Sequence, residues 1–239
     1  GGTIKDDIGN NADLTLPDPT VFETVHSIII NNPPLVTDVT STNTNGTYKI
    51  GDSIAINVHF SENINVNTTA GTPQLVLDVI TGGHRVDYSS HANDSIIFQY
   101  TVLAGHQSSR LDYAGTDSLV LNSGTIKDTS SSDAILTLSS PTDNDSLSYN
   151  KYLIVDGIRP TITNVTSNKA DGIYDSGNVS IKVTFSEIVN LIGTNPQLKL
   201  NVIPEGKIIN YSSGTGTKDF LFDYTIADGD QTYALDSND

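Results

Sequence analysis

The sequence contains the same series of short blocks twice, in the same order. Residues 39–41 (Val-Thr-Ser) recur as residues 165–167, a separation of 126 residues, and residues 100–102 recur as 224–226, a separation of 124 residues. Ordered recurrence at a nearly constant spacing indicates two copies of one domain, with short insertions in the loops. The blocks between these two also recur: 45–51 as 171–177, 60–62 as 185–187, 73–77 as 196–200, and 88–90 as 211–213.

A third match involves the start of the chain. Residues 2–6 (Gly-Thr-Ile-Lys-Asp) are identical to residues 124–128, and residues 27–31 resemble residues 152–156. We therefore predict that residues 1–32 are the C-terminal strands of a preceding repeat, that 33–157 are a complete repeat, and that 158–239 are a repeat without its last strands. Two interpretations are open. Either the chain is a window of a longer tandem array, or residues 1–32 act as donor strands that complete a neighbouring copy.

Alternation of apolar and polar residues with a period of two predicts strands throughout the chain. In residues 53–60, Ile54, Ile56, Val58 and Phe60 fall on one face and smaller or polar residues on the other. No segment sustains a helical period, and glycine-containing turns such as Asn45-Gly46 separate the runs. The fold class predicted is all-β, with tandem antiparallel β-sandwich repeats of about 124 residues and no helices.

Composition excludes several classes of function. The chain has 12 Lys and Arg against 28 Asp and Glu, a net charge of −16, whereas nucleic acids and anionic membranes bind basic surfaces. It has no cysteine, so disulfides do not stabilise the fold and catalysis by a thiol is excluded. No apolar run reaches the roughly 20 residues of a membrane helix. We predict partners among other copies or neighbouring repeats, with no nucleic acid and no membrane insertion.

Signals for catalysis are also missing from the sequence. No histidines show the spacing of a metalloprotease motif, and neither a nucleophile elbow nor a phosphate-binding glycine loop occurs. The tyrosines that could bind a sugar recur at equivalent positions of the two copies, which favours packing. The prediction is that the chain is not an enzyme. The histidines are His26, His59, His84, His91 and His106.

The repeated blocks resemble those of a known class of domain. The sequences in residues 45–52, 60–62, 71–75, 111–113 and 123–128 resemble Ig-like, cadherin-like repeats. Such repeats are strung in tandem through giant cell-surface proteins of bacteria and archaea, which serve as adhesins, fibres or surface layers. The resemblance implies an extracellular, cell-surface location and the role of a spacer or structural unit. The alternative is a ligand- or carbohydrate-binding β-sandwich module of an adhesin.

Acidic residues near the predicted junctions suggest a Ca²⁺ site between repeats. Hard cations take about six to eight oxygen ligands, and loops at the ends of adjacent sandwiches can pool their carboxylates. A cation there would stiffen the array. Ordinary solvated loop acids are the competing interpretation, since no EF-hand or Asp-Gly nonapeptide motif is present. The candidate ligands are Asp52, Asp112, Asp117, Asp156 and Glu187.

Sequons for N-linked glycosylation are frequent. Asn-x-Ser/Thr is an acceptor in hosts that glycosylate their secreted proteins, although a chain rich in Asn, Ser and Thr also produces it by chance. Several of these asparagines fall in predicted turns, where a sugar fits, while Asn164 falls within a predicted strand. The seven candidates are Asn45, Asn67, Asn93, Asn144, Asn164, Asn178 and Asn210.

Overall fold

The computed structural model describes residues 2–15, 31–203 and 205–236, whose regular secondary structure is almost entirely β-strand. The chain divides into two compact units, Gly1–Gly157 and Ile158–Asp239, called unit 1 and unit 2 below. The all-β class predicted from the sequence is confirmed. The assignment of residues 1–32 to a preceding repeat stays a prediction, and Gly1 and residues 16–30 lie outside the described residues.

The described residues of unit 1 form three sheets. Strands β1-β3-β7-β6-β5-β9 make a six-stranded sheet, β4 and β10 a pair, and β2-β11-β8 a three-stranded sheet. The strands are β1 (Val36–Ser41), β2 (Gly46–Lys49), β3 (Ser53–Phe60), β4 (Ile64–Asn67), β5 (Gln74–Leu77), β6 (His84–Ala92), β7 (Ser95–Thr101), β8 (Gln107–Ser108), β9 (Leu119–Val120), β10 (Thr125–Asp128) and β11 (Leu153–Asp156).

One pairing departs from the predicted antiparallel arrangement. β11 runs antiparallel to β8 but parallel to β2, with Leu153 opposite Gly46 and Asp156 opposite Lys49. Parallel strands need a long connection, and more than 100 residues separate β2 from β11. Local hairpin signals could not reveal this pairing, because it depends on where a distant strand arrives.

The alternation in β3 places its apolar side chains in the core of unit 1. Ile54, Ile56 and Val58 are fully buried and Phe60 is 3% exposed, while the residues between them are exposed or half-buried. β-branched and aromatic side chains pack well on such a half-buried pleated surface. The same core contains Tyr113, whose hydroxyl donates a hydrogen bond of 2.7 Å to the carbonyl oxygen of Ser139.

A short helix within the described residues corrects the prediction that the chain has none. The helix α1 (Leu147–Asn150) begins after Ser146, whose hydroxyl accepts a hydrogen bond of 3.2 Å from the amide of Tyr149. Serine is a favoured N-cap because its oxygen satisfies an amide that has no partner within the helix. Leu147 is fully buried against the core. No helix among the described residues has the length and apolar character needed to cross a membrane.

Unit 2 has one antiparallel sheet in its described residues. The strand order is β12-β13-β16-β15-β14, and its core includes Val179, Ile181, Val183 and Phe222. The sheet order corresponds to β1-β3-β7-β6-β5 of unit 1. The strands are β12 (Ile162–Ser167), β13 (Gly177–Val189), β14 (Gln197–Leu200), β15 (Lys207–Ser213) and β16 (Thr217–Ile226).

The first strand pair has the same register in both units. β1 and β12 each show a register shift after their first matched residue, and each then pairs residue by residue with its neighbour. A β-bulge of this kind increases local twist and bends the strand. The matching partners are Val36 with Phe60 and Val39 with Val58 in unit 1, and Ile162 with Phe185 and Val165 with Val183 in unit 2.

Candidate functional site: an open apolar face on unit 2

One face of the unit 2 sheet has much less cover than its counterpart in unit 1. Val39 of β1 is 1% exposed, whereas Val165, at the matching position of β12, is 48% exposed. Full burial of a valine side chain stabilises a fold by roughly 1.5–3 kcal/mol, so unit 2 forgoes much of this contribution. A groove on this face, which we call the open face, is lined by Val165, Thr166, Ser167, Ile181, Leu198, Leu200, Leu235 and Asp236.

In unit 1 the matching position is covered by α1 and the loop before it. The amide of Val39 donates a hydrogen bond of 2.8 Å to the carbonyl oxygen of Asp145. The side chain of Asn150 donates one of 2.9 Å to the carbonyl oxygen of Val39. The amide and the carbonyl of Val39 are thereby both satisfied, and Leu147 of α1 is fully buried in the core. Residues after β10 therefore complete the core of unit 1.

The β4–β10 pair of unit 1 also has no complete equivalent in unit 2. In unit 1, β4 is paired with β10, and Ile64 is 3% exposed. The matching residues in unit 2 are 189–192, which we call the open edge. No strand among the described residues pairs with positions 190–192, and Ile192 is 90% exposed. Instead β13 runs on without a break to Val189, which pairs with Thr217 of β16.

A third difference concerns the three-stranded sheet. β11 lies between β2 and β8 in unit 1. The matching segments of unit 2, residues 172–175 and 231–232, are not strands, and Ile173 is 95% exposed. A strand edge without its neighbour leaves amides and carbonyls for another strand to bind. The open positions of unit 2 are therefore those that β10, α1 and β11 occupy in unit 1.

A buried tyrosine marks another pair of matching positions with different chemistry. In unit 1 the Tyr100 hydroxyl lies 2.8 Å from Nδ1 of His106, and the rings of His84 and His106 are 4.5 Å apart. Burial, followed by the neighbouring His84, lowers the pKa of His106. Burial also raises the pKa of Tyr100 to about 12. The surroundings of His106 therefore favour the neutral form of its imidazole.

Unit 2 replaces the two histidines by an ion pair. The Tyr224 hydroxyl donates a hydrogen bond of 2.7 Å to Asp230, and Nζ of Lys207 lies 3.5 Å from the other oxygen of that carboxylate. A hydrogen bond from the amide of Ala227, followed by that from Tyr224, lowers the pKa of Asp230. The sequence alone showed the histidines as scattered. An alignment of the two copies matches position 84 with 207 and position 106 with 230. The second copy has a lysine and an aspartate there, and such opposite charges would have indicated that His84 and His106 lie close together.

The predicted Ca²⁺ ligands are spread over both units. Asp112 is 6% exposed, and its two oxygens accept hydrogen bonds from the amides of Tyr113 and Thr142 at 2.9 and 3.1 Å. Asp52 accepts one of 2.9 Å from the amide of Lys49, which is opposite Asp156 in the sheet. These bonds hold loops of unit 1 together.

The remaining predicted ligands do not complete a cluster. Asp117 is exposed in a turn of unit 1, and Glu187 lies in β13 of unit 2, with its Oε1 buried and without a hydrogen-bond partner among the described residues. Nowhere in the described ranges do three or more His, Asp or Glu side chains gather as a metal site would require. The Ca²⁺ site between repeats stays a prediction.

All seven predicted glycosylation sites are exposed. Asn93 occupies a left-handed turn between β6 and β7 with φ of 51°. Asn164 lies in β12, as the alternation predicted. Four others have side chains that already accept hydrogen bonds within the fold: Asn45 from Tyr152, Asn67 from Thr69, Asn178 from Thr225 and Asn210 from Gln197. The exposed Asn144 completes the set.

Comparison with protein-family models and with curated protein sequences gave no match.

Proposed function

We propose that the chain is a non-enzymatic structural repeat unit of an extracellular surface protein or filament, where it acts as a spacer, an adhesin stalk or a building block of a surface layer. One observation carries the proposal. Two units of one chain use the same sheet order, the same register in their first strand pair and the same β-bulge. On this proposal both units are tandem β-sandwich repeats with a period of about 124 residues, as the sequence blocks predict.

The segments at the predicted repeat boundaries support a stiff array. Pro33-Pro34 precedes unit 1's first strand, and Arg159-Pro160 precedes the first strand of unit 2. Proline fixes φ and biases the residue before it towards extended geometry, so such connections bend less than Gly/Ser linkers. Stiff connections between β-sandwiches suit a molecule whose task is to span distance.

The surface also fits an extracellular location. A net charge of −16 over 239 residues makes copies repel one another except where specific contacts form. The exposed sequons give a secreted chain several places for sugars. Two interpretations of how units join remain part of the proposal: continuous tandem repeats in one polypeptide, and end-to-end assembly by strand complementation.

Surface labelling of intact cells of the source organism tests this function. An antibody raised against the chain should label intact cells and lose its signal after brief protease treatment, while a cytosolic marker stays protected. Labelling only after permeabilisation would contradict the proposal. Binding of the chain to a glycan array at micromolar concentration, abolished by changes in loops at one end of a unit, would favour the alternative of a carbohydrate-binding module.

A further inference from the structure

The turn after β7 holds the last residue of unit 1. In residues 103–106 the amide of His106 donates a hydrogen bond of 3.2 Å to the carbonyl oxygen of Leu103. Gly157, which follows β11, donates one of 2.7 Å from its amide to the carbonyl oxygen of His106. Its own carbonyl oxygen accepts one of 2.9 Å from the amide of Gly105. The two bonds of Gly157, which we call the Gly157 contact, tie the end of β11 to this turn.

The Gly157 contact leaves no room for a side chain. Gly157 is buried, and a Cβ there would lie 2.6 Å from the carbonyl oxygen of His106 and closer still to that of Leu103. Only glycine allows backbones to approach so closely. The contact therefore depends on where the backbone of His106 lies.

The side chain of His106 anchors that backbone in the core of unit 1. His106 is 4% exposed, and its Nδ1 lies 2.8 Å from the hydroxyl of the fully buried Tyr100. The ring centroid of His84 is 4.5 Å from that of His106. Burial raises the pKa of Tyr100 to about 12, so its hydroxyl keeps a proton to donate to Nδ1. A protonated His106 carries hydrogens on both ring nitrogens and can no longer accept this bond.

Charged groups on β5 and β6 face away from the two imidazoles. His84 begins β6 opposite Leu77 of β5, which is fully buried. The charged neighbours of these two residues are Asp78 and Arg85, and both are exposed. Successive residues of a strand point to opposite faces. From β7 the titratable group is Tyr100, which is neutral.

Charged groups on the three-stranded sheet lie on the face away from His106. Asp156 of β11 is opposite Gln107 of β8 and Lys49 of β2, and residues opposite each other share a face. His106 precedes Gln107 and therefore lies on the other face. Asp52, in the loop after β2, accepts a hydrogen bond from the amide of Lys49. No carboxylate on these described elements thus faces His106 to stabilise its protonated form.

We propose that His84 and His106 form a pH-sensitive switch, in which protonation of the two imidazoles in mild acid releases the Gly157 contact. In the neutral form the imidazoles pack together, His106 accepts the Tyr100 proton, and the turn stays in place. Two imidazolium ions at this separation repel each other, and burial without a carboxylate adds to the cost. Opening of the turn hydrates both rings and removes that cost.

The pH range of the switch follows from the direction of the shift. Burial, followed by His84, lowers the pKa of His106 in the closed turn. In an open, hydrated turn the pKa returns to its ordinary value of 6.5. The open form therefore binds a proton more readily, so the Gly157 contact is stable above pH 6.5 and weakens as the pH falls below that value.

Unit 2 has the same turn without the switch. The amide of Asp230 donates to the carbonyl oxygen of Ala227 at 3.1 Å, and Gly229 has φ of 87°, as Gly105 has in unit 1. The side chain of Asp230 lies 3.5 Å from Nζ of Lys207, and its lowered pKa keeps it charged at pH 5. The backbone of the turn therefore does not itself require a titrating group.

Hydrogen exchange of the full chain, followed by mass spectrometry, tests the switch. Between pH 7.5 and pH 5, after correction for the intrinsic exchange rates, peptides that contain Gly105 and Gly157 should lose protection about tenfold. A natural chain whose Gly157 contact is equally protected at both pH values would overturn the proposal without any variant.

Low concentrations of urea distinguish local opening from unfolding of unit 1. At pH 5, exchange in the Gly157 contact should not change below about 1 M urea, because a local opening exposes little surface. Exchange of β3 should accelerate, because its buried strand exchanges when the whole unit unfolds. The same urea dependence in both places would overturn a local switch.

Two histidine variants assign the response. His106→Gln keeps an oxygen that accepts from Tyr100 but takes up no proton, so the change in protection should fall below about twofold. The matched control is His91→Gln, because Nδ1 of His91 lies 2.6 Å from the Tyr88 hydroxyl in an exposed hairpin. This control should keep the tenfold response. Equal responses of the two variants would overturn the assignment.

A backbone variant tests the contact itself. Gly157→Ala introduces a Cβ that the turn cannot accommodate, so the peptide that contains Gly105 should lose protection already at pH 7.5. The further loss at pH 5 should then be small. Natural protection of Gly105 in this variant would overturn the role of the Gly157 contact.

Discussion

Unit 1 and unit 2 begin with the same strands and end differently. Both build a sheet of equivalent strand order. Val58 lies opposite Val39 in unit 1, and Val183 lies opposite Val165, the matching residue, in unit 2. In unit 1, later strands and α1 then cover the face of that sheet. In unit 2 the face stays open, and β13 continues as one strand past a register shift between Thr184 and Val189, where unit 1 has two strands, β3 and β4. The comparison shows that the shared strands form the same sheet in both units although its cover differs.

The largest effect expected from this comparison follows a change in β11. Leu153 is fully buried, and Leu153→Ala should destabilise unit 1 by about 2–5 kcal/mol because a cavity opens under the three-stranded sheet. Unit 2 should be unaffected. Urea unfolding followed by hydrogen exchange and mass spectrometry resolves peptides from each unit. Tyr152→Ala, at a neighbour that is 51% exposed, is the control and should cost less than about 1 kcal/mol. Equal destabilisation of both units would contradict their separate cores.

A smaller difference is expected at the matching valines of β1 and β12. Val39→Ala should destabilise unit 1 by about 2 kcal/mol, and Val165→Ala should destabilise unit 2 by less than about 1 kcal/mol, because Val165 is already 48% exposed. The same peptide-resolved unfolding measurement compares them. If the two costs were equal, the open face would be covered in solution.

The smallest effect concerns pH. Burial and His84 lower the pKa of His106 from its ordinary value of 6.5, so the unfolded chain binds a proton there more readily than the folded chain. Unit 1 should therefore have its full stability above pH 6.5 and lose part of it as the pH falls below that value. Asp230 of unit 2 has a lowered pKa, so its contribution is present above its ordinary value of 3.8 and is lost only in stronger acid.

A double substitution sharpens the pH comparison. His84→Lys/His106→Asp gives unit 1 the ion pair of unit 2, and the loss of unit 1 stability between pH 7 and pH 5 should disappear. Urea midpoints from peptides of each unit, measured at several pH values, give the result. If unit 1 of this variant still lost stability between pH 7 and pH 5, the acid sensitivity would come from titratable groups other than His84 and His106.

Sequence reasoning predicted the strands well where alternation alone decides burial. Ile54, Ile56 and Val58 lie inward as their spacing predicted, and Tyr100 and Tyr224 are buried, as their recurrence at matching positions favoured. The sequence did not predict the helix α1 or the parallel β2–β11 pair. The helix depends on one N-cap and on contacts with β1, and the strand pair joins segments that are more than 100 residues apart in sequence. The comparison of the repeated blocks predicted that the second repeat lacks its last strands. It did not predict which residues of the open face are exposed, and the structure identifies them.

The candidate site shows the same limit. Residues 2–6 and 124–128 are identical in sequence, and that identity predicted an equivalent strand. It could not predict that residues 2–15 keep this turn while Ile4 stays 64% exposed, because the hydrogen bonds around Asp6 are local to the turn. Nor could it reveal that Asp112 bonds to Thr142, which lies 30 residues further along the chain.

Hydrogen exchange of the matching strands β3 and β13, resolved by peptide, tests the central claim that the two units build the same sheet but differ in how much of it is covered. The amides of β3 should exchange more slowly than those of β13, because Val39 beside β3 is 1% exposed and Val165 beside β13 is 48% exposed. Equal protection of the two strands would contradict the claim.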